Sequence, residues 1–309
     1  MRIVICEFMD ESAVDRLRPG FDTLYEPDLV DKPERLRAQL AGAAAMIVRN
    51  RTRVTDELLD AAPALKVVGR LGVGLDNIDL EACRARAVEV IPATGANAQA
   101  VAEYVICTAM LLLRGAYSAS AEVAAGQWPR ARLSRGRELA GKMLGLVGFG
   151  GIGRVTGGLA QALGMDVVAH DPWIKAEDAR AREQGVQLVG LDELLARSDV
   201  VSLHVPLTDD TRNLLDRDRL ASMKRGAVLV NTARGGIVNE SALAGLLRDG
   251  HLAGAALDVF EAEPLPAGSV LANVPSLVLT PHIAGLTLES NERVSCMIAD
   301  KVIEYLARS

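Results

Sequence analysis

Met143-Leu144-Gly145-Leu146-Val147 runs directly into Gly148-Phe149-Gly150-Gly151-Ile152-Gly153-Arg154, and the order of these residues decides the fold. The apolar run predicts a buried strand, and apolar positions through Leu159 and Leu163 predict a helix after it. Between them the glycines satisfy GxGxxG, a weak pattern alone that becomes specific when a strand precedes it and a helix follows. Gly148 allows the tight turn, Gly150 lets a phosphate approach the backbone, and Gly153 lets helix pack closely on strand. The amides of Gly150, Gly151 and Ile152 open the helix, whose N-terminus favours a pyrophosphate. The next strand ends Val167-Val168-Ala169-His170-Asp171, which places Asp171 eighteen residues beyond Gly153, where a carboxylate binds adenosine ribose hydroxyls. That carboxylate repels a 2′-phosphate and no Arg follows in Pro172-Trp173-Ile174, so the expected cofactor is NAD rather than NADP.

On both sides of this unit, short β-branched runs alternate with helical stretches, the pattern of parallel strands joined by crossover helices. Strands are expected at 3–6, 23–25, 45–48, 66–69 and 88–91, with helices starting at Asp10, Pro33, Thr55 and Asp79, each a cap or first-turn residue. The segment 92–97 is rich in turn residues and precedes a long helix predicted from Ala98 toward Gly126. Six more strands follow, at 143–147, 166–169, 200–203, 227–231, 255–259 and 277–279, and a final helix over 286–307 is expected to return to the first domain. The fold class is therefore α/β, with two doubly wound parallel-sheet domains. Residues 1–97 plus 285–309 form one domain, and 98–284 form the other.

Composition narrows the function. The 309 residues suit two domains, and 34 basic against 40 acidic side chains, a net charge of −6, disfavour a coat for nucleic acid. Cys6, Cys83, Cys107 and Cys296 are far apart with no CxxC, so neither a disulfide framework nor a metal site is expected, and a reducing cytoplasm fits. The first strand meets Glu7 too soon for a secretory leader. The most apolar stretch, 104–113, is half the roughly 20 residues a membrane span requires. No membrane partner is expected.

Chemistry-bearing residues gather at strand ends. Arg234 follows 227–233, Glu263 follows 255–262, and His282 follows Thr280-Pro281 after the last strand. Ligands of doubly wound sheets bind outside the carboxyl ends of the strands, where a titratable residue is a candidate acid or base. The planar fork of Arg suits a carboxylate, and a Glu bonded to one imidazole nitrogen orients the ring and favours its protonated form. The three together describe hydride chemistry on a 2-keto acid. His251 reads as surface turn chemistry, whereas His170 and His204, at strand ends, fit a hydrogen-bonded structural role and a site role equally.

These segments, with Val68-Gly69-Arg70-Leu71-Gly72-Val73-Gly74-Leu75-Asp76-Asn77-Ile78-Asp79, Asn97 to Glu103 and Pro281-His282-Ile283-Ala284-Gly285, resemble the D-isomer-specific 2-hydroxyacid dehydrogenases over nearly the whole chain. The resemblance implies a Rossmann NAD domain inserted into a flavodoxin-like, split substrate domain, and a homodimer. It implies His282 as acid/base, Glu263 as its partner and Arg234 as the anchor of the substrate carboxylate and carbonyl. The amides of Gly72, Val73 and Gly74 would cradle the carboxylate as an anion nest. Thr232, Ala233 and Asp258 are implied near the nicotinamide, Pro206 and Thr211 along the cofactor, and Gly285 among the cofactor-binding residues. Formate dehydrogenases of the family carry Gln where Glu263 stands, which argues against formate. Ala100 replaces the Ser of many relatives before Val-Ala-Glu and touches only a hinge contact.

The segments 6–11, 47–52 and 93–98 are similar to a subgroup associated with sulfolactate oxidation, and Arg49 or Arg51 would bind a distal sulfonate or phosphate. In sulfolactate the sulfur-bearing arm outranks the carboxylate, so a D-like arrangement is called S. Phosphoglycerate oxidation and hydroxypyruvate or glyoxylate reduction are the enzymatic alternatives; no regulatory domain is expected after Ser309. C-terminal binding protein corepressors, which use NAD(H) to control protein association, are the non-enzymatic alternative. The disordered flanks of a regulatory scaffold are not seen.

Overall fold

The computed structural model describes residues 1–174 and 178–308, and the chain divides into two compact units, Met1–Asn97 with the segment from Leu286, and Ala98–Gly285. In the first unit five strands, β1 (Arg2–Ile5), β2 (Asp22–Tyr25), β3 (Ala43–Val48), β4 (Val67–Arg70) and β5 (Glu89–Pro92), form a parallel sheet of order β2-β1-β3-β4-β5. This is the flavodoxin-like order. Every residue of β3 is buried, because a central parallel strand is covered on both faces, and its sequence AAAMIV is accordingly a continuous apolar run.

Helix starts follow local chemistry. Asp10, Thr55 and Asp79 each accept a backbone N–H of the first helical turn, and Pro33 opens the helix Pro33–Leu40, where its missing N–H leaves no bond unmade. The closing helix, Leu288–Arg308, packs on β4 within this unit. It approaches closely because Gly69 has no side chain; a Cβ there would stand 2.7 Å from Ile298 Cγ2 and 3.1 Å from Val302 Cγ2.

The second unit carries seven parallel strands: β6 (Met143–Val147), β7 (Asp166–His170), β8 (Gln187–Leu188), β9 (Val200–Leu203), β10 (Val228–Asn231), β11 (Gly254–Leu257) and β12 (Leu277–Leu279). Their order is β12-β11-β10-β9-β6-β7-β8, a doubly wound arrangement that reverses direction between β6 and β9. Two expectations are corrected. The sheet has seven strands rather than six, because the two-residue edge strand β8 is too short for any periodicity to reveal. The helix from Ala98 ends at Arg114 rather than near Gly126, since Gly115 adopts φ +64° and a 3₁₀ turn and the short helix Ser120–Ala124 follow.

Ile298 is fully buried where the returning helix meets β4. Ile298→Ala is expected to destabilise the first unit by about 2–5 kcal/mol, read as an earlier urea transition; an unchanged midpoint would show that this contact does not hold the terminal helix.

Candidate active site

The loop after β6 is shaped by contacts no side chain could survive. Gly148 stands at φ +96°, and a Cβ there would lie 2.6 Å from the His204 carbonyl; a Cβ on Gly153 would lie 2.4 Å from the Gly148 carbonyl. Around Gly150 and Gly151, by contrast, a Cβ would meet nothing within 4 Å. Gly150 is the N-cap of the helix Gly151–Ala162 and offers no side chain to its first amides. Open space in front of unfilled helix-end donors fits a pyrophosphate. Asp171, at the end of β7, accepts from Phe149 N–H at 2.9 Å and from Trp173 N–H at 3.0 Å, so its carboxylate stands beside the glycine turn. Half-buried His204 is held neutral, its pKa pushed down to about 4 by desolvation, and lies 3.0 Å from Ser202 Oγ. Further along, Thr211 Oγ1 donates to the Pro206 carbonyl at 2.7 Å and accepts from Thr208 N–H at 2.7 Å, closing the turn after β9.

Arg234, Glu263 and His282 sit in three loops at the carboxyl edge of the same sheet. Buried Asn231 at the end of β10 shapes the first loop: its amide donates to the Arg234 carbonyl at 2.9 Å, and its side-chain oxygen accepts from Ala233 N–H at 3.0 Å. Gly235 follows, and a Cβ there would lie 1.8 Å from the Phe260 carbonyl. That close approach joins the Arg234 loop to the Glu263 loop. Glu263 is oriented at both oxygens, Oε1 accepting from Phe260 N–H at 3.0 Å and Oε2 lying 2.8 Å from His282 Nδ1. The imidazole thus keeps Nε2 for another partner, the arrangement a general acid/base requires.

His282 adopts φ +56°, a conformation rarely taken by a residue with a side chain, and it is held there by Asp258. The Asp258 carbonyl accepts His282 N–H at 2.9 Å, and its carboxylate accepts Ile283 N–H and Ala284 N–H at 2.8 Å each and the Thr280 hydroxyl at 2.6 Å. Gly285 closes this loop and the unit. Two residues before Arg234, Thr232 Oγ1 is buried with no hydrogen-bond partner among the described residues, a donor and acceptor whose chemistry fits a nicotinamide amide.

In the first unit, the loop after β3 wraps a buried carboxylate. Glu7 accepts the backbone N–H groups of Arg49 at 2.8 Å, Arg51 at 3.0 Å and Thr52 at 3.0 Å. The two arginine side chains then differ. Arg51 pairs with Asp31 on the surface. Half-buried Arg49 lies over the Phe8 ring, 5.5 Å from its centroid, and donates to the neutral Asn291 Oδ1 at 2.6 Å. Burial lowers the Arg49 pKa, with Glu7 opposing, so its charge is the less compensated of the two. Gly72 N–H is spent on the Arg70 carbonyl at 2.8 Å, while the Val73 and Gly74 amides have no acceptor among the described residues. Asn231 and Gly235 escape a sequence reading focused on charged groups, although Gly235 directly after Arg234 is a usable sign of close backbone approach.

Residues 106–284 match the family described as D-isomer specific 2-hydroxyacid dehydrogenase, NAD binding domain. The chain is 55% identical to the (S)-sulfolactate dehydrogenase of Chromohalobacter salexigens, over 97% of this chain and 96% of that one. It is 41% identical to D-3-phosphoglycerate dehydrogenase 2, chloroplastic, of Arabidopsis thaliana, over 97% of this chain but only 48% of that one. The solved glyoxylate reductase of Paecilomyes thermophila superposes with a TM-score of 0.88 at 30% identity, covering 99% of this chain and 95% of that one.

Gly235→Ala is expected to lower kcat by about 100-fold or more, because the methyl would drive two loops apart and misplacement near 1 Å costs that much. Steady-state rates measure it. Parental kcat in a folded Gly235→Ala protein would show that the loop contact does not set the site.

Proposed function

The chain belongs to the D-isomer-specific 2-hydroxyacid dehydrogenases and is an NAD-dependent oxidoreductase acting on 2-hydroxy acids; on that premise we propose (S)-sulfolactate as its substrate, oxidised to sulfopyruvate. The carrying observation is the 55% identity to a sulfolactate dehydrogenase along almost the full length of both chains. Support from the fold is the Arg49 guanidinium, half-buried and bonded to a neutral amide, which suits a distal sulfonate better than the ion-paired Arg51.

The first unit is the substrate domain in this reading, with the Val73 and Gly74 amides holding an anion, and the second is the NAD domain. NAD, when bound, accepts the hydride from C2. Arg234 binds the carboxylate and the C2 oxygen. His282 Nε2 would take the hydroxyl proton as C2 is oxidised to the keto acid, while Glu263 Oε2 holds the ring through Nδ1. Asp171 selects NAD by repelling a 2′-phosphate. Gly150, Gly151 and Ile152 amides would hold the pyrophosphate, the 206–211 turn would line the cofactor, and Thr232 and Ala233 would hold the nicotinamide.

A homodimer in the cytoplasm completes the proposal. Exposed Met110, Tyr117, Val123 and Trp128 on the second unit support a self-associating face, and four unpaired thiols support a reducing compartment. Among the described residues no single helix is long and apolar enough to cross a membrane.

Initial rates with NAD and sulfolactate, phosphoglycerate, glycerate and lactate side by side test the substrate. Arg49→Ala is expected to raise KM for sulfolactate by about 10- to 100-fold, the worth of a charge-assisted hydrogen bond, with little effect on lactate. Equal losses on both substrates, or a larger effect from Arg51→Ala, would reject Arg49 as the sulfonate receptor.

A further inference from the structure

The helix Ala98–Arg114 touches the catalytic edge through one polar side chain. Tyr104 Oη lies 2.6 Å from Thr280 Oγ1, and Thr280 Oγ1 donates to Asp258 Oδ1 at 2.6 Å. A threonine hydroxyl has one hydrogen, so the direction of the chain is settled: the phenol donates to the threonine, and the threonine donates to the carboxylate. Burial raises the Tyr104 pKa, keeping the phenol protonated and able to donate. Beyond Asp258 the same carboxylate accepts the Ile283 and Ala284 amides, immediately after the histidine. Nothing in this series is needed to close the sheet. The series ends on the amides that follow His282, whose own backbone is held at φ +56°.

We propose that Tyr104 is a positioning residue for His282, acting through Thr280 and Asp258 to hold residues 282–284 where the imidazole meets Glu263. Without the phenolic donor the Thr280 hydroxyl is free to turn, and the Asp258 carboxylate loses its fixed third donor. The two loop amides then pull against a looser acceptor. His282 samples more orientations, and fewer of them present Nε2 to a substrate hydroxyl while Nδ1 stays on Glu263. The consequence falls on the chemical step rather than on binding, because none of the three residues in the series needs to touch the substrate for it to act.

Tyr104→Phe removes only the hydroxyl and keeps the ring in its packing. It is expected to lower kcat about 3- to 10-fold in both directions, with KM for NAD and for the 2-hydroxy acid unchanged within about twofold. Thr280→Ser keeps a hydroxyl and should retain most of the activity, whereas Thr280→Val should lose more than Tyr104→Phe. Links in series are not additive, so Tyr104→Phe with Thr280→Val should be no slower than Thr280→Val alone. Parental kcat in Tyr104→Phe would overturn the proposal, as would multiplied losses in the double variant or a change confined to KM. Should Thr280→Val fail to fold, the kcat and KM of Tyr104→Phe decide alone, since that variant preserves the core.

Discussion

Asp258 is 1% exposed at the end of β11, and a carboxylate so buried is stable only if donors replace the water it has lost. The protein supplies three: the Thr280 hydroxyl and the amides of Ile283 and Ala284. Satisfying that one charge dictates the path of the chain after β12. The loop must fold back over β11 so that two consecutive amides face one side chain, and His282 is thereby placed at positive φ with its N–H on the Asp258 carbonyl. From that position Nδ1 lies 2.8 Å from Glu263 Oε2. Asp258, implied by family resemblance to lie near the nicotinamide, has each carboxylate oxygen bonded within its own unit, so its first task here is to shape the histidine loop.

Close backbone approach is the second constraint. Arg234, Glu263 and His282 belong to loops after three different strands, and the first two loops meet because Gly235 lets the Arg234 loop lie against the Phe260 carbonyl. The same principle operates at the cofactor loop, where Gly148 and Gly153 are required by contact and Gly150 and Gly151 by the space in front of them. Two glycines of one motif therefore pack the turn, while the open space before the other two suits the anion of the proposed cofactor site.

Most strands could be read in the sequence because parallel strands buried on both faces are written as unbroken apolar runs, as in β3 and β6. The Asp10, Thr55 and Asp79 caps were legible for a similarly local reason. What escaped is what depends on distant partners or very short elements. Arg49 and Arg51 look alike in the chain, and only the fold reveals that Asp31 engages one of them while Phe8 and Asn291 engage the other. Tyr104 disappears inside an apolar helical run, its purpose visible only once Thr280 is beside it. Strand β8 has too few residues for a period. Glu263 and His282 were legible because each follows a strand at the functional edge of the sheet and because their motifs resemble a known family.

His282 is the group proposed to exchange a proton while hydride moves, and the most direct measurement is the pH dependence of kcat in both directions for the parent and for His282→Ala. Oxidation needs neutral imidazole and reduction needs imidazolium, so the oxidative rate should rise with pH across the range in which the reductive rate falls. His282→Ala should lose both limbs and nearly all activity. Parallel limbs in the parent, or a His282→Ala enzyme that keeps a substantial rate with its pH dependence intact, would contradict it.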